Sequence, residues 1–155
     1  MTGGYIMKRA SVNEVKLEFP SRSSNEGFAR GAVACFAAQM DPTLSELEDI
    51  KTAVSEAVTN AILHAYPDTI GTVYMKIRTF PGNLLEITVR DRGKGIMDVE
   101  QARQPMFTTG GEERSGMGFT IMESFMDRVA VRSAPGRGTT VVMKKHIAEK
   151  SRERI

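Results

Sequence analysis

The stretch SEAVTNAILHAY, Ser55 to Tyr66, decides the fold, because its spacing is helical while one of its faces is polar. Its apolar residues recur at three- and four-residue spacing: Val58, Ala61, Ile62 and Ala65. Glu56, Asn60 and His64 recur at the same spacing. Since a helix turns about 100° per residue, these three side chains form one narrow stripe. The stripe is either the solvated side of an amphipathic helix or the wall of a site.

Size and composition indicate one globular domain. The chain has 155 residues, of which 41% are hydrophobic and 26% charged, with a formal charge of +2. The cations are dispersed among almost as many acids, so we expect no direct nucleic-acid partner. No apolar run approaches the roughly 20 residues that span a bilayer, and MTGGYIMKRASVNE lacks a secretory apolar region, so we expect a cytoplasmic protein without a membrane partner. The single cysteine, Cys35, lies among small apolar residues and is predicted to be a buried thiol.

Helix start signals flank the quoted stretch on its N-terminal side. After the alternating strand EVKLEF, Ser23 and Glu26 have the spacing of a capping box before a helix through FARGAVACFAAQM. Thr43 and Glu46 offer a second box, which opens a helix that runs into the quoted stretch. Pro67 ends that helix.

The remaining segments complete an α+β pattern. TVYMKIRTF and LLEITVRD read as paired strands, DRGKGI as a glycine loop, GFTIMESFMD as a helix, and RVAVRS with TTVVMKK as a closing hairpin. This order predicts a two-layer sandwich with helices on one face of a mostly antiparallel mixed sheet. We predict a domain over residues 14–146, a disordered N-terminal extension over 1–13 and a basic tail over 147–155.

Asp91 and the glycines after it form the first candidate site. Strand alternation in LLEITVRD puts Asp91 on the inward face, where an ionised carboxylate is costly unless something donates hydrogen bonds to it. The donor is either a neighbouring amide or a ligand amine such as the exocyclic amino group of adenine. Gly93 and Gly95 follow at once and either allow close approach of the backbone to a flat ring or simply form a turn.

A second glycine pair precedes the helix of GFTIMESFMD. Gly116 and Gly118 suit a phosphate, because helix N-termini present unpaired amides, although many helices merely begin after glycine. Arg114 either pairs with a terminal phosphate or faces solvent. There is no GxxxxGK[ST], no GxSxG and no cluster of His and Cys, which excludes a P-loop, a hydrolase triad of that type and a zinc cluster as far as motifs go.

The polar stripe can supply complementary chemistry. The Asn60 amide oxygen could ligate Mg²⁺ without adding charge, leaving phosphate oxygens to complete the octahedron. Glu56 could accept a proton from an attacking hydroxyl or water. His64 could orient a neighbour or bind a carboxylate.

Four segments in this order, SEAVTNAILHAY, DRGKGI, SGMGFT and GRGTT, closely resemble the N, G1, G2 and G3 boxes of the GHKL ATPase superfamily, which includes gyrase and the histidine kinases. EFPSRSSNEGFAR, RQPMFTT and ERSGMGFTIMESFMD further resemble the sporulation anti-sigma-F factors, which are serine protein kinases. The resemblance extends from about Glu14 to Lys145.

The resemblance implies specific roles. Glu56 would be the catalytic base, Asn60 the Mg²⁺ ligand and Asp91 the carboxylate that recognises adenine, with Gly93 and Gly95 flanking the base and ribose.

By the same resemblance, residues 103–115 would form the ATP lid. The other implied residues are Thr108 and Thr109 at the nucleotide, Arg114 at the phosphate or partner, Gly116 and Gly118 at the phosphates, Thr140 beside Asp91, and Arg30 on the partner surface.

The resemblance also implies a function. The chain would be a homodimer that inhibits sigma-F when bound to ATP and phosphorylates a serine of an anti-anti-sigma factor. The alternatives are an ATP-gated binding module without significant kinase activity and a bare histidine-kinase ATP domain, but no phospho-acceptor hairpin precedes the fold.

Overall fold

A computed structural model of the chain describes residues 10–103 and 118–148. Its sheet has five strands in the order β1-β2-β3-β5-β4, and every neighbouring pair is antiparallel. The strands are β1 Asn13–Pro20, β2 Thr72–Phe80, β3 Leu84–Asp91, β4 Arg128–Ala134 and β5 Gly138–His146. The helices are α1 Ser24–Ala37, α2 Leu44–Asn60, α3 Val99–Ala102 and α4 Phe119–Phe125. The predicted α+β sandwich is confirmed, with an antiparallel rather than mixed sheet.

The core lies between one face of the sheet and the helices. On β3 the inward residues Leu85, Ile87 and Val89 are buried, as the alternation predicts. The facing stripe of α2 contributes five buried residues: Ile50, Ala53, Val54, Ala57 and Val58. Because α2 packs against α1, α4 and the end of β3, its C-terminal half is fixed beside the strand that ends in Asp91. Within the described ranges no helix has the length and apolarity to cross a membrane.

Helix α2 begins at the predicted capping box. The Thr43 amide donates to Glu46 Oε1 at 2.9 Å, and the Glu46 amide donates to Thr43 Oγ1 at 3.0 Å. The box predicted at Ser23 is wrong, because Ser23 has helical backbone angles and its side chain makes no capping hydrogen bond. Glu26 instead accepts from Arg30 at 2.9 Å and from Ser55 Oγ at 2.5 Å. The Glu26 carboxylate therefore joins α1 to α2 through Ser55 and does not cap α1.

Contacts with the rest of the domain continue past residue 146, the predicted end of the domain. Ile147 is buried, and its amide donates to the Asn83 carbonyl at 2.9 Å. The Ala148 amide donates to Glu46 Oε2 at 2.9 Å. Burial acts to raise the pKa of Glu46, but hydrogen bonds from Ala148 and Thr43 and the nearby Lys145 ammonium outweigh it, so the pKa lies below its ordinary value. Glu46 thus joins the start of α2 to the segment after β5.

Replacing Glu46 with Gln should destabilise the protein near neutral pH by up to about 1 kcal/mol, since a neutral cap loses the charge-assisted part of these hydrogen bonds. Because the pKa of Glu46 is lower in the folded state, its ionisation stabilises the folded protein at pH values above the unfolded-state pKa of 4.5. That stabilisation is lost as the pH falls through the folded pKa. Urea unfolding should therefore show a deficit for Glu46→Gln at neutral pH that closes in acid. Glu48→Gln, on the exposed side of α2, is the matched control, and an equal deficit there would contradict the assignment.

The quoted stretch does not remain α-helical to its end. Helix α2 ends at Asn60, and Ala61–Ala65 form a π-helical turn before Pro67. Turns of this kind are frequent at functional sites because the wider turn redirects side chains. His64 lies on this turn, whereas Glu56 and Asn60 lie on regular helix, so the stripe changes direction at its last residue.

Cys35 is exposed, which makes the prediction of a buried thiol wrong. Helix α1 buries Ala29, Val33, Phe36 and Ala37, and Cys35 lies on its other side. Because small apolar residues lie on both sides of α1, the sequence does not reveal which side is buried.

Strand β1 begins at Asn13, one residue before the predicted domain, and the Val12 amide donates to the Thr79 carbonyl at 2.7 Å.

Candidate functional site

A cleft lies between the C-terminal part of α2, the end of β3 and the start of α4. The open space within the cleft and at its mouth is about 370 Å³. Three residues predicted for the site line it, namely Asn60, Asp91 and Gly95, and His64 lines it as well. Apolar walls come from Ala57, Ala61, Val89, Ile96, Phe119 and Val141. A mostly apolar cleft with a few convergent polar groups is the usual form of a small-molecule site.

Asp91 is the buried carboxylate of this cleft, with 7% of its surface exposed. Its Oδ1 accepts from the Gly93 amide at 2.9 Å and from the Thr139 amide at 3.2 Å. Burial raises the pKa of Asp91, although these two hydrogen bonds act in the opposite direction. Because both go to Oδ1, Oδ2 keeps its capacity to accept from a ligand.

The residue beside Asp91 is Thr139, not Thr140. Thr139 donates its amide to Asp91 and lines the cleft. Thr140 pairs with Arg90 and Arg132 in the sheet, on the opposite face. The predicted position is thus wrong by one residue. Alternation in TTVVMKK could have located it, because Val141 and Met143 face the core and Thr139 shares their face.

The glycines of DRGKGI allow the loop to pack closely against protein backbone. A Cβ on Gly93 would lie 2.2 Å from the Ala65 carbonyl oxygen, which accepts from the Lys94 amide at 3.0 Å. Gly95 has a φ of +78°, and a Cβ there would lie 2.2 Å from the Ala134 carbonyl oxygen. The loop therefore packs between the π-helical turn that follows α2 and the β4–β5 hairpin. Of the two glycines, only Gly95 lines the cleft.

Glu56 lies one helical turn before Asn60, against the start of α4. A Cβ on Gly118 would lie 2.2 Å from Glu56 Oε1, and Gly118 has a φ of +76°. Gly118 therefore leaves the space that the Glu56 carboxylate occupies. This contact places Glu56 next to the N-terminus of α4, at one end of the cleft.

Gly118→Ala should displace the Glu56 carboxylate and lower any activity that needs it by about tenfold or more, because the added methyl group requires that space. Gly136→Ala is the matched control, since Gly136 has a φ of +78° and nothing within 4 Å of an added Cβ. Both variants should share the cost of a left-handed alanine, on the order of 1 kcal/mol. Thermal unfolding and the activity of the site, both measured on the two variants, separate the two effects. Equal activities in the two variants would contradict the contact.

Arg30 is half-exposed on α1 and does not line the cleft. It donates to Glu26 Oε2, which also accepts from Ser55, the neighbour of Glu56. The surface around Arg30 is thus joined by two hydrogen bonds to the helix that carries the stripe.

Some predicted residues lie outside the described part of the chain: Thr108, Thr109, Arg114 and Gly116. Of the predicted lid, only Arg103 is described. It ends α3, pairs with Glu123 of α4, and donates to the Val129 carbonyl at 2.9 Å. The short helix α3 was not predicted; Asp98 caps it by accepting from the Gln101 amide at 3.0 Å.

The described residues offer few side chains that could hold a metal ion at this cleft. Among described residues no group of three or more His, Cys, Asp or Glu could hold a metal ion. Mg²⁺ commonly takes one or two protein oxygens and completes its shell with phosphate and water. The side-chain oxygen of Asn60, which lines the cleft, suits such a shell, and Glu56 lies one helical turn before it.

Comparison with known proteins identifies the class of domain. The family model described as histidine kinase-like ATPase domain matches residues 19–145. The chain therefore contains an ATP-binding domain of this type. It is 59% identical over 139 residues to the anti-sigma F factor of Geobacillus kaustophilus and 55% identical over 139 residues to that of Bacillus subtilis. Each alignment covers 88% of this chain and 94% of the relative. The chain belongs to the anti-sigma F factor family.

Solved structures support the fold. The RsbU and RsbW domains of Rv1364c from Mycobacterium tuberculosis superpose with a TM-score of 0.67 at 17% identity, over 91% of this chain and 34% of that longer chain. The mycobacterial sensor histidine kinase MprB superposes with a TM-score of 0.53 at 16% identity, over 86% of this chain and 100% of the other. At these identities the likeness shows a shared fold.

Proposed function

We propose that the chain binds a sporulation sigma factor of the sigma-F type and holds it inactive. We further propose that it uses Mg²⁺ and ATP to phosphorylate a serine of its anti-anti-sigma antagonist. The observation that carries the proposal is the shared cleft of Asn60 and Asp91, with Glu56 one turn from Asn60. The names of its relatives support the sigma-factor partner.

Asp91 marks the adenine end of the proposed site. Its Oδ2 would accept a hydrogen bond from the exocyclic amino group of adenine, while Oδ1 stays bound to Gly93 and Thr139. Val89 and Val141, which pair across β3 and β5, would provide apolar surface for the flat ring next to this carboxylate. A buried acceptor that lacks its ligand donor is costly, so this contact would favour adenine over bases that lack the amino group.

Glu56 and Asn60 mark the phosphate end. Phosphoryl transfer depends on positioning and electrostatic stabilisation, which Mg²⁺ supplies when bound. Asn60 would hold the cation through its amide oxygen, and Glu56 would accept the proton of the attacking serine hydroxyl. Gly118, beside Glu56, would help to hold the phosphates through its backbone. Gly93 would shape the adenine loop and Gly95 would line the base and ribose end.

The residues beyond the described ranges complete the proposal by resemblance. Residues 103–115 would close over the nucleotide with Thr108 and Thr109 at its phosphates. Arg114 would reach the terminal phosphate or the partner, and Gly116 would contact phosphate. Arg30 would belong to the surface for both protein partners, with the chain acting as a cytoplasmic homodimer.

Asn60→Ala should abolish the dependence of ATP affinity on Mg²⁺, because it removes the proposed protein ligand and leaves the adenine end intact. Calorimetric titration of wild type with ATP should give affinity that rises about tenfold or more when Mg²⁺ is added. The variant should show the same affinity with and without the cation. Asn25→Ala, at the exposed start of α1, is the amide control. An Asn60→Ala variant that keeps the Mg²⁺ dependence would exclude Asn60 as the ligand.

A further inference from the structure

Tyr66, the last residue of the quoted stretch, contacts the loop that follows Asp91. Its hydroxyl accepts from the Arg92 amide at 2.7 Å and donates to the Thr72 carbonyl at 2.9 Å. Val73 and Asp91 are the last residues that pair between β2 and β3. Thr72 and Arg92 come next in this register, and the Tyr66 hydroxyl bridges their backbone groups. Tyr66 is therefore bonded to the loop at the point where it leaves the sheet.

The amide that bonds to Asp91 lies between two amides that bond to the end of the quoted stretch. The Gly93 amide donates to Asp91 Oδ1 at 2.9 Å. The amide before it donates to the Tyr66 hydroxyl, and the amide after it donates to the Ala65 carbonyl at 3.0 Å. Because peptide groups are planar, holding both neighbours fixes the direction of the Gly93 N–H. Tyr66 thereby helps to keep Asp91 Oδ1 engaged, so that Oδ2 is the oxygen with capacity for a ligand.

The position of the Tyr66 ring is itself fixed by its neighbours. A Cβ on Gly71 would lie 2.2 Å from Tyr66 Cε1, so glycine leaves the space that the ring occupies. Gly71 is held by Ser21, which is buried. The Ser21 amide donates to the Gly71 carbonyl at 2.8 Å, and the Gly71 amide donates to Ser21 Oγ at 2.9 Å. The Tyr66 hydroxyl is therefore preorganised for its contact with the loop.

We propose that Tyr66 is a positioning residue for adenine recognition, which acts through the Arg92 amide on the loop that orients Asp91. This inference rests on the proposed contact between Asp91 and the amino group of adenine. Tyr66 does not line the cleft, so its effect on the nucleotide is indirect. Without the hydroxyl, the Arg92 amide and the Thr72 carbonyl lose their shared partner and the loop gains freedom. Adenine binding would then have to order the loop, which lowers affinity.

The test compares the affinity of the full chain for ATP and for inosine triphosphate, which carries a carbonyl oxygen where adenine carries its amino group. Tyr66→Phe removes the hydroxyl alone, and Gly71→Ala displaces the ring with an added methyl group. Tyr74→Phe is the control for the first variant, because it keeps the ring on which the Arg92 guanidinium stacks. Gly31→Ala is the control for the second, since an added Cβ there meets nothing within 4 Å. Thermal unfolding of every variant verifies that it is folded.

We expect the wild type to bind ATP at least about tenfold more tightly than inosine triphosphate. Tyr66→Phe and Gly71→Ala should each weaken ATP binding by about fivefold or more and inosine triphosphate binding by less than about twofold, because only adenine uses the oriented carboxylate. Both controls should keep the wild-type ratio of affinities. Equal losses for the two nucleotides in Tyr66→Phe would indicate a general structural role and overturn the inference.

The ratio measured for the wild type separates this inference from the proposed function. If the wild type prefers ATP and Tyr66→Phe keeps the full preference, Asp91 recognises adenine without Tyr66 and only the positioning role is wrong. If the wild type binds both nucleotides equally, the proposed adenine contact of Asp91 is wrong and the positioning role is wrong with it.

Discussion

Glu56→Gln is expected to lower the rate of serine phosphorylation by about 10²- to 10⁴-fold, the usual contribution of a general base. The amide has nearly the same shape as the carboxylate, so the contact with Gly118 should persist. Affinity for ATP should change by less than about threefold, because the proposed adenine and cation contacts lie at Asp91 and Asn60. Single-turnover transfer from labelled ATP to the antagonist measures the chemical step, and calorimetry measures binding.

The same measurements on Glu48→Gln provide the control for this substitution. Glu48 lies on the same helix, two turns earlier, with its side chain 66% exposed. It should transfer phosphate at the wild-type rate. A Glu56→Gln variant that also transfers at the wild-type rate would remove Glu56 from the role of base. A parallel loss of ATP affinity would point to a role in binding instead.

Asp91→Asn is expected to weaken ATP binding by about 100-fold, since it places an amide donor where Asp91 Oδ2 would accept from adenine. The Asn oxygen can still accept from the Gly93 and Thr139 amides, so the loop should keep its conformation. Calorimetric titration with ATP is the measurement. Asp98→Asn, at the exposed cap of α3, is the control and should bind as wild type does. Unchanged affinity in Asp91→Asn would exclude the adenine contact.

The pH dependence of stability tests the raised pKa of Asp91 independently of nucleotide binding. Its folded pKa is raised, so ionisation of Asp91 costs folding free energy as the pH rises from its unfolded value of 3.8 through the folded pKa. Asp91→Asn avoids this cost. Without nucleotide, the variant should therefore be at least as stable as wild type near neutral pH, and the difference should close below the unfolded pKa. A destabilised variant at neutral pH would indicate a structural role for the charge.

Local sequence patterns predicted the architecture well. The alternation of strands and the capping residues of helices depend on neighbouring residues and not on tertiary contacts. Alternation located β3 and the inward direction of Asp91, and the Thr43 box located the start of α2. The convergence of Asn60 and Asp91 on one cleft follows from packing α2 over β3, which the order of elements implies. These features depend on period and on short-range hydrogen bonds.

The wrong predictions concern residues whose partners or burial depend on tertiary contacts. Glu26 fits a capping box by spacing, but Arg30 and Ser55 compete for the same carboxylate. The exposure of Cys35 depends on which side of α1 meets α2. Ile147 is buried through a contact with Asn83, which is 64 residues away in sequence. Spacing alone cannot reveal partners so far along the chain.

The most direct test of the central claim is a reaction of the wild-type chain with ATP, Mg²⁺ and its cognate anti-anti-sigma protein, analysed by mass spectrometry of the antagonist. The account predicts one phosphoryl group on one serine of the antagonist and consumption of an equal amount of ATP. If the antagonist remains unmodified and no ATP is consumed, the proposed phosphoryl transfer is wrong and the ATP-gated binding module is the better account.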